Sequence, residues 1–532
     1  MARPVHSFVC EIGRVCSKAE LKASEQPSAL WVGVKAQKLP DLCLACLQAG
    51  GVFDSAFTYP SSISSHWAAV YVFCVPKLSK PVVLFSHAKQ FHSVSAQIPA
   101  AVWDERKMRE ISGADFIGLN DLRPIIIHPE SAKFVTNPLR GAHAPGRRPS
   151  ARERSAGHGS EYGFAGTGEE GEFQIPVGPV HAGIIEPGHF RFHVGGEPIH
   201  KLEVRLSFLH RGIEDFACGR PMDGVLPLIE QVSADESVAN GVAYAQAVES
   251  LASIEVPRKA ESLRLILLEL ERIYSHLADL GGMAMDVGYY ASSSRFATLR
   301  ENMMRLNGRV GGSRFLRGLV VVGGMARDMP EDSLRQIRTS LRLFSDSLAK
   351  TEDLTLSSST FIDRAFSTGR VSPEVARRLS LVGPVARASG VPCDARKHFA
   401  YGAYRSNAVR ESLGQGGDVF SRFMVKLGEV KESVRLIEHQ LAQDIDGPVL
   451  SERRDLSKLP SGRMALGWTE APRGSCMFLV RSANKGALGR LAIRTASWRN
   501  WIGIQEAVRG NITADFPLIN KSFNLSYAGA DL

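Results

Sequence analysis

No apolar run in the sequence reaches the roughly 18 to 20 residues that spanning a bilayer needs. The nearest approach, Trp67 to Val75, stops at Pro76-Lys77. The first twenty residues also lack the apolar core of a secretory signal, because Glu11, Arg14 and Lys18 interrupt it. Both absences predict a chain that stays in the cytoplasm and meets a membrane only through partners. Cysteine is scarce, eight in 532 residues (Cys10, Cys16, Cys43, Cys46, Cys74, Cys218, Cys393 and Cys476). Their scatter suits reduced thiols rather than a disulfide frame. The only close pair, Cys43-x-x-Cys46, lies among Leu42, Leu44 and Ala45. With no second pair at zinc spacing it reads as core packing. No glycine-rich phosphate loop of the GxGxxG or Walker type follows a strand, so a dinucleotide such as NAD would have to bind another subunit.

What is present begins with size. A chain of 532 residues exceeds one ordinary core, and 44% hydrophobic with 22% charged residues is the balance of a soluble globular protein. Residues 1–137 read as a first α+β unit. Ala68 to Val75 and Pro81 to Phe85 are buried strands bounded by Pro and Lys, with turn signals at Ala49-Gly50-Gly51 and Pro60-Ser61-Ser62. Residues 138–172 are rich in Gly, Ser, Pro and Arg and offer little to bury, as a flexible linker does. Arg147, Arg148, Arg152 and Arg154 make it basic, in keeping with the net charge of +9. A basic segment could contact nucleic acid or lipid; a mobile tether is the plainer reading.

Residues 173–532 form the remaining unit. His189, Arg191 and His193 alternate with Phe190, Phe192 and Val194, and Lys201, Glu203 and Arg205 alternate with Leu202, Val204 and Leu206. Period two on both sides of Gly195-Gly196 predicts a hairpin with one buried face. Leu263, Ile266, Leu267, Leu270, Ile273, Leu277 and Leu280 recur at helical steps and predict a helix from Ile254 that stops at Gly281-Gly282, with Arg264, Glu271, Arg272 and Ser275 off the apolar stripe. A second helix is expected from Val419 to Leu441, and two more around Thr298 to Asn307 and Pro330 to Lys350. The expected class is α+β: a small α/β domain, a linker, then a mainly helical bundle entered by a hairpin.

Several blocks carry a family resemblance: HRGIE (His210 to Glu214), ERIYSHLADLGGMAMDVG (Glu271 to Gly288), LVGPVARASGVPCDAR (Leu381 to Arg396), GDVFSRFMVKLGEV (Gly417 to Val430), EAPRG (Glu470 to Gly474) and IRTASWRNW (Ile493 to Trp501, with Ala496 where the family usually has Pro). Together they resemble the large subunit shared by energy-converting nickel–iron hydrogenases, of the hydrogenase-4 and formate-hydrogenlyase kind, and by the 49 kDa quinone-site subunit of complex I. Trp103 to Glu130 resembles the signature that closes the 30 kDa-type subunit of complex I.

The resemblance implies four thiolates for a nickel–iron centre, since soft sulfur suits those metals. It places them at Ser233, Glu236, Ser526 and Gly529, none of which is cysteine. It also implies two quinone-headgroup partners, at positions that here hold Ile185 and Ala234. A polar set remains: His181, Glu186, His189, His210, Arg211, Glu214, Asp235 and Glu236. Such groups either relay protons or form a satisfied ion-pair network, and if buried they must pair or titrate abnormally. The expectation is therefore a subunit of a membrane-associated oxidoreductase complex that couples electron transfer to ion or proton movement, without a metal site of its own. Iron–sulfur clusters would lie in a partner, beside antiporter-like membrane subunits on the cytoplasmic face, with a quinone as a candidate ligand. The alternatives are a purely structural or coupling subunit, and nucleic-acid binding through the linker.

Overall fold

The computed structural model describes residues 3–12, 22–61, 66–128, 162–166, 168, 171–182, 185–443, 445–452 and 454–532. The arginine-rich part of the 138–172 segment, and with it the linker and nucleic-acid expectations, lies outside them.

The N-terminal unit is built on a five-stranded sheet in the order Lys22–Glu25, Leu30–Gly33, Val82–Ala88, Trp67–Cys74, Val52–Pro60. The Leu30–Gly33 and Val82–Ala88 strands run parallel and the other neighbours antiparallel. Trp67–Cys74 reads as an uninterrupted apolar run because both of its faces are covered. Ala69, Tyr71 and Phe73 point to a core closed by the helix Leu39–Gln48. Cys43 and Cys46 lie there, fully buried, so the pair is packing. Ala68, Val70 and Val72 point the other way, onto Leu466, Met477, Leu479 and Ala492.

Those four residues belong to an antiparallel three-stranded sheet near the C-terminus, Met464–Ala471, Gly474–Ser482 and Leu488–Arg494. The sequence patterns did not reveal this sheet, and it corrects the picture of helices plus one hairpin. It docks the first unit sheet against sheet. Buried ions pin the joint: Arg494 pairs with Asp54, Arg499 Nη2 reaches Asp104 at 2.7 Å, and Trp498 Nε1 donates to the same carboxylate at 2.6 Å.

The hairpin forms as the alternation requires, His189–Val194 against Ile199–Arg205. A third strand, Phe173–Val177, adds to its outer edge. Phe173, Ile175 and Val177 alternate with Gln174 and Pro176, but the first two face out and only Val177 packs on the core. The apolar face of the hairpin packs on Phe516, Trp501 and Tyr527 through Phe190 and Phe192. The polar face is covered as well. Tyr162 lies between the guanidinium groups of Arg123 and Arg205, Phe164 lies beneath Arg191 at 4.5 Å, and Glu172 pairs with His193. Part of the segment read as a tether is thus a packed strap.

Helices make up most of the remainder. Val419–Leu441 has the expected bounds, and the two intermediate helices are longer than expected, Tyr290–Gly311 and Glu331–Leu356. The first long helix spans Arg258–Asp286 and runs straight through Gly281-Gly282. A Cβ on Gly281 would stand 3.2 Å from Phe296 Cβ, so this glycine serves the close approach of the Tyr290–Gly311 helix instead of a stop. The same helix is buried all round: Glu269, Glu271, Arg272 and His276 are each fully enclosed. Residues off the stripe are inside as well: Arg264 pairs with Glu249, Arg272 with Glu269, and Glu271 accepts two backbone N–H groups.

Candidate functional site

The polar set does not form one cluster; it divides into four places. The first surrounds the C-terminal segment. Leu206 ends the hairpin and turns the chain so that the backbone N–H groups of Ser207 and Leu209 donate to the Asp531 carboxylate at 2.7 and 2.8 Å. His210 Nδ1 lies 2.7 Å from Asp531 O, and Arg211 donates to the carbonyls of Gln231, Val232 and Ala528. Glu186 accepts the N–H groups of Tyr527 and Ala528, both at 3.1 Å. Burial pushes the Asp531 carboxyl up to about 6 despite its two N–H donors.

The second place is Glu214. Only three residues from Arg211 in sequence, it is turned away from that guanidinium by the helix Ile213–Ala217. There it meets Lys107 of the N-terminal unit at 3.0 Å, Arg490 at 3.1 Å and the Ile493 N–H at 2.8 Å. Burial alone would raise its carboxyl; Lys107 and then Arg490 overcome that and hold it at about 2. Glu214 is a fixed anion bracing two units, which rules it out as a proton carrier near neutral pH.

His181 and His189 lie at the hairpin's start. His181 Nε2 is 2.7 Å from Gly188 O, and His189 Nδ1 is 3.1 Å from Gly178 O, with Phe164 over its ring. Burial, followed by nearby Arg191 and Arg205, depresses the His189 imidazole, favouring the neutral form. Its Nε2 is buried with no hydrogen-bond partner.

The fourth place is the convergence of the four positions where the resemblance implies thiolates. A Cβ on Gly529 would lie 3.1 Å from Ser526 Oγ and 3.4 Å from Ser233 Cβ, so these residues do meet. The donor set does not fit a nickel–iron centre: two hydroxyls, a carboxylate and a glycine supply no soft ligand. Among the described residues no group of three His, Cys, Asp or Glu side chains is placed to hold a metal. A guanidinium lies beside this place. Arg473, from the tight turn between the Met464–Ala471 and Gly474–Ser482 strands, donates to both oxygens of Asp235 at 2.9 and 2.7 Å. It also lies 3.3 Å from Glu236 Oε1 and donates through Nε to Asn524 O. Sequence reading missed Arg473. The signal was the Asp235-Glu236 pair, since a buried acid beside a second acid requires a cation.

The two acids are not equivalent. Both suffer burial, but the bidentate Arg473 contact lowers the Asp235 carboxyl, whereas Glu236 remains raised, with Asp235 as its neighbouring negative charge. From this pocket buried ions continue along the Arg258–Asp286 helix. Asp279 bonds Lys426 at 2.5 Å; His276 Nε2 meets Glu429 Oε2 at 3.0 Å; Arg387 bridges Glu429 and Glu470 at 2.7 and 2.8 Å. Arg396 then joins Asp394 to Glu269. All of these are enclosed, and each cation has an anion within reach, which is the condition for burying them.

Comparison with known proteins agrees with this architecture. A family model described as the 49 kDa subunit of respiratory-chain NADH dehydrogenase matches residues 286–465 and 457–532, and one described as its 30 kDa subunit matches residues 33–148. Formate hydrogenlyase subunit 5 of Escherichia coli is 32% identical over 94% of this chain and 89% of its own length. An NADH-quinone oxidoreductase subunit of Clostridium beijerinckii is 33% identical over 66% of this chain and 95% of its own. Among solved structures, a chain of the membrane-bound sulfane sulfur reductase, an archaeal respiratory membrane complex, superposes with a TM-score of 0.64 at 25% identity, covering 68% of this chain and 99% of that one. The chain therefore belongs to the family that contains formate hydrogenlyase subunit 5 and its counterparts in NADH-quinone oxidoreductases, with a 30 kDa-subunit match ahead of the 49 kDa one.

Proposed function

We propose that the chain is a subunit of a membrane-associated oxidoreductase complex in which electron transfer is coupled to ion or proton movement, and that it works without a nickel–iron site. The observation that supports this reading is that Ser233, Ser526 and Gly529 meet, and with Glu236 fill the four positions where the resemblance implies thiolates without offering a soft ligand. The relatives supply the class of complex: hydrogenlyase, quinone oxidoreductase and respiratory sulfur reductase. No described helix is long and apolar enough to cross a membrane, so contact with the bilayer falls to partner subunits. Iron–sulfur clusters, antiporter-like subunits and any NAD site belong to those partners in this reading, with the chain on the cytoplasmic face.

A quinone would find His181 and His189 both engaged with backbone carbonyls, and Phe164 over the second ring. That arrangement favours a coupling role for this chain over direct quinone chemistry. The test is purification of the tagged chain from native membranes. Membrane subunits and an iron–sulfur protein should co-purify in fixed ratio. Recovery of the chain alone from the soluble fraction would contradict the proposal.

A further inference from the structure

The polar face of the hairpin is closed by residues that bring it no charge. Residues 162–166, Tyr-Gly-Phe-Ala-Gly, lie across Arg191, Lys201 and Arg205, with Arg123 reaching in from the first unit. Tyr162 stands 5.4 Å from the Arg123 guanidinium and 4.8 Å from that of Arg205, and Phe164 stands 4.5 Å from that of Arg191. Lys201 donates to the Ala165 carbonyl and Arg123 to that of Gly163. A ring face holds a cation less firmly than an oxyanion bonded to it does.

Among the described residues, the acids on this face are engaged elsewhere. Asp121 pairs with Arg106 and Arg123. Glu203 pairs with Arg123 and lies 3.0 Å from His193 Nε2 and 3.6 Å from Lys201, and Glu172 takes His193 Nδ1. None of them reaches Arg191, whose Nε is buried without a hydrogen-bond partner. His189, only 9% exposed, has the same deficit at Nε2. One ring covers both groups, since Phe164 also lies 5.2 Å from the His189 imidazole. His189 Nδ1 faces the Gly178 carbonyl at 3.1 Å and so carries the proton of the neutral ring, leaving Nε2 a bare lone pair. Burial, then Arg191 and Arg205, disfavour a second proton there. Buried polar atoms facing hydrocarbon are costly, and a single anion would relieve both. It would accept from Arg191, and its charge would let His189 Nε2 take a proton and donate as well.

We propose that the space filled by the Phe164 ring is a site for a phosphate group, held by Arg191 and His189, with residues 162–166 as its displaceable cover. Arg205 stands opposite His189 across the two strands and adds to the positive field. A tetrahedral oxyanion offers several acceptors at once, which a guanidinium and an imidazole on alternate positions of one strand require. The phosphate can be a free ion or the headgroup of an anionic phospholipid. The inference concerns the outer face of the hairpin and stands independently of the oxidoreductase reading.

The test uses the full-length chain with two probes: inorganic phosphate by calorimetry, and phosphatidylglycerol vesicles by flotation, with phosphatidylcholine vesicles as the uncharged control. Phe164→Ala should bind about tenfold more tightly than the native chain, because a site uncovered less than about a tenth of the time loses that much affinity. Adding Arg191→Gln should remove the gain. A gain with inorganic phosphate supports the free ion as occupant, and a gain confined to phosphatidylglycerol vesicles supports the lipid headgroup. No gain with either probe, or a gain that survives Arg191→Gln, would overturn the proposal. Should the Arg191 variant fail to fold, His189→Asn on the Phe164→Ala background decides. It keeps a donor for the Gly178 carbonyl, removes Nε2, and should lower affinity about tenfold; unchanged affinity would overturn the site.

Discussion

Glu214→Gln should loosen the joint between the first unit and the rest. In the native chain this carboxylate lies between Lys107 and Arg490 and accepts the Ile493 N–H. Its side chain is only 9% exposed, so solvent screens the pairs little. Its pKa is about 2 against an ordinary 4.5. At ~1.4 kcal/mol per pH unit, that difference corresponds to about 3 kcal/mol of folded-state stabilisation. The folded pKa is depressed, so the stabilisation is fully present above about pH 4.5 and is lost as pH falls through about 2. The amide keeps the Ile493 hydrogen bond but leaves two buried cations unpaired. At about pH 7 chemical denaturation should show the variant less stable by about 3 kcal/mol, with the gap closing between about pH 4.5 and 2. A gap that stays constant across that window, or none at neutral pH, would refute the ion-pair reasoning. Lys107→Met should reproduce part of the loss, since it removes the nearer cation.

Three further outcomes follow from packing and burial. Gly467→Ala should destabilise by about 3 kcal/mol in thermal unfolding, because a Cβ there would stand 2.6 Å from Ala247 N on a rigid helix. Phe190→Ala removes a ring that meets Phe516 at 4.9 Å and Trp501 at 6.0 Å, and should cost about 3–5 kcal/mol in the same assay. Cys46, whose thiol burial pushes up to about 12, should resist maleimide at about pH 8 in the native chain and react only after unfolding, as peptide mapping would show.

How far the sequence could be read depended on whether a residue's role is local. The helix Val419–Leu441 was legible because its apolar stripe and its cap, Asp418 accepting from Ser421 N, both lie within the segment. The hairpin was legible for the same reason. Gly281-Gly282 misled because glycine also permits two helices to touch, and that partner lies in a different helix. The Phe173–Val177 strand alternates over only five residues, with Pro176 inside it, and is an exposed edge. At the site, the missing thiols were visible in the sequence, but the guanidinium beside their positions was not. Arg473 stands more than two hundred residues from Asp235, and only the fold brings them together. Likewise His-Arg-Gly-Ile-Glu suggested an internal pair, whereas a left-handed Gly212 sends Arg211 and Glu214 to different partners.

The central claim is that the four positions where the family resemblance implies thiolates offer no soft ligand, and elemental analysis tests it most directly. The complex purified from native membranes should contain iron attributable to partner subunits and no nickel above background. One nickel per copy of this chain would contradict the account.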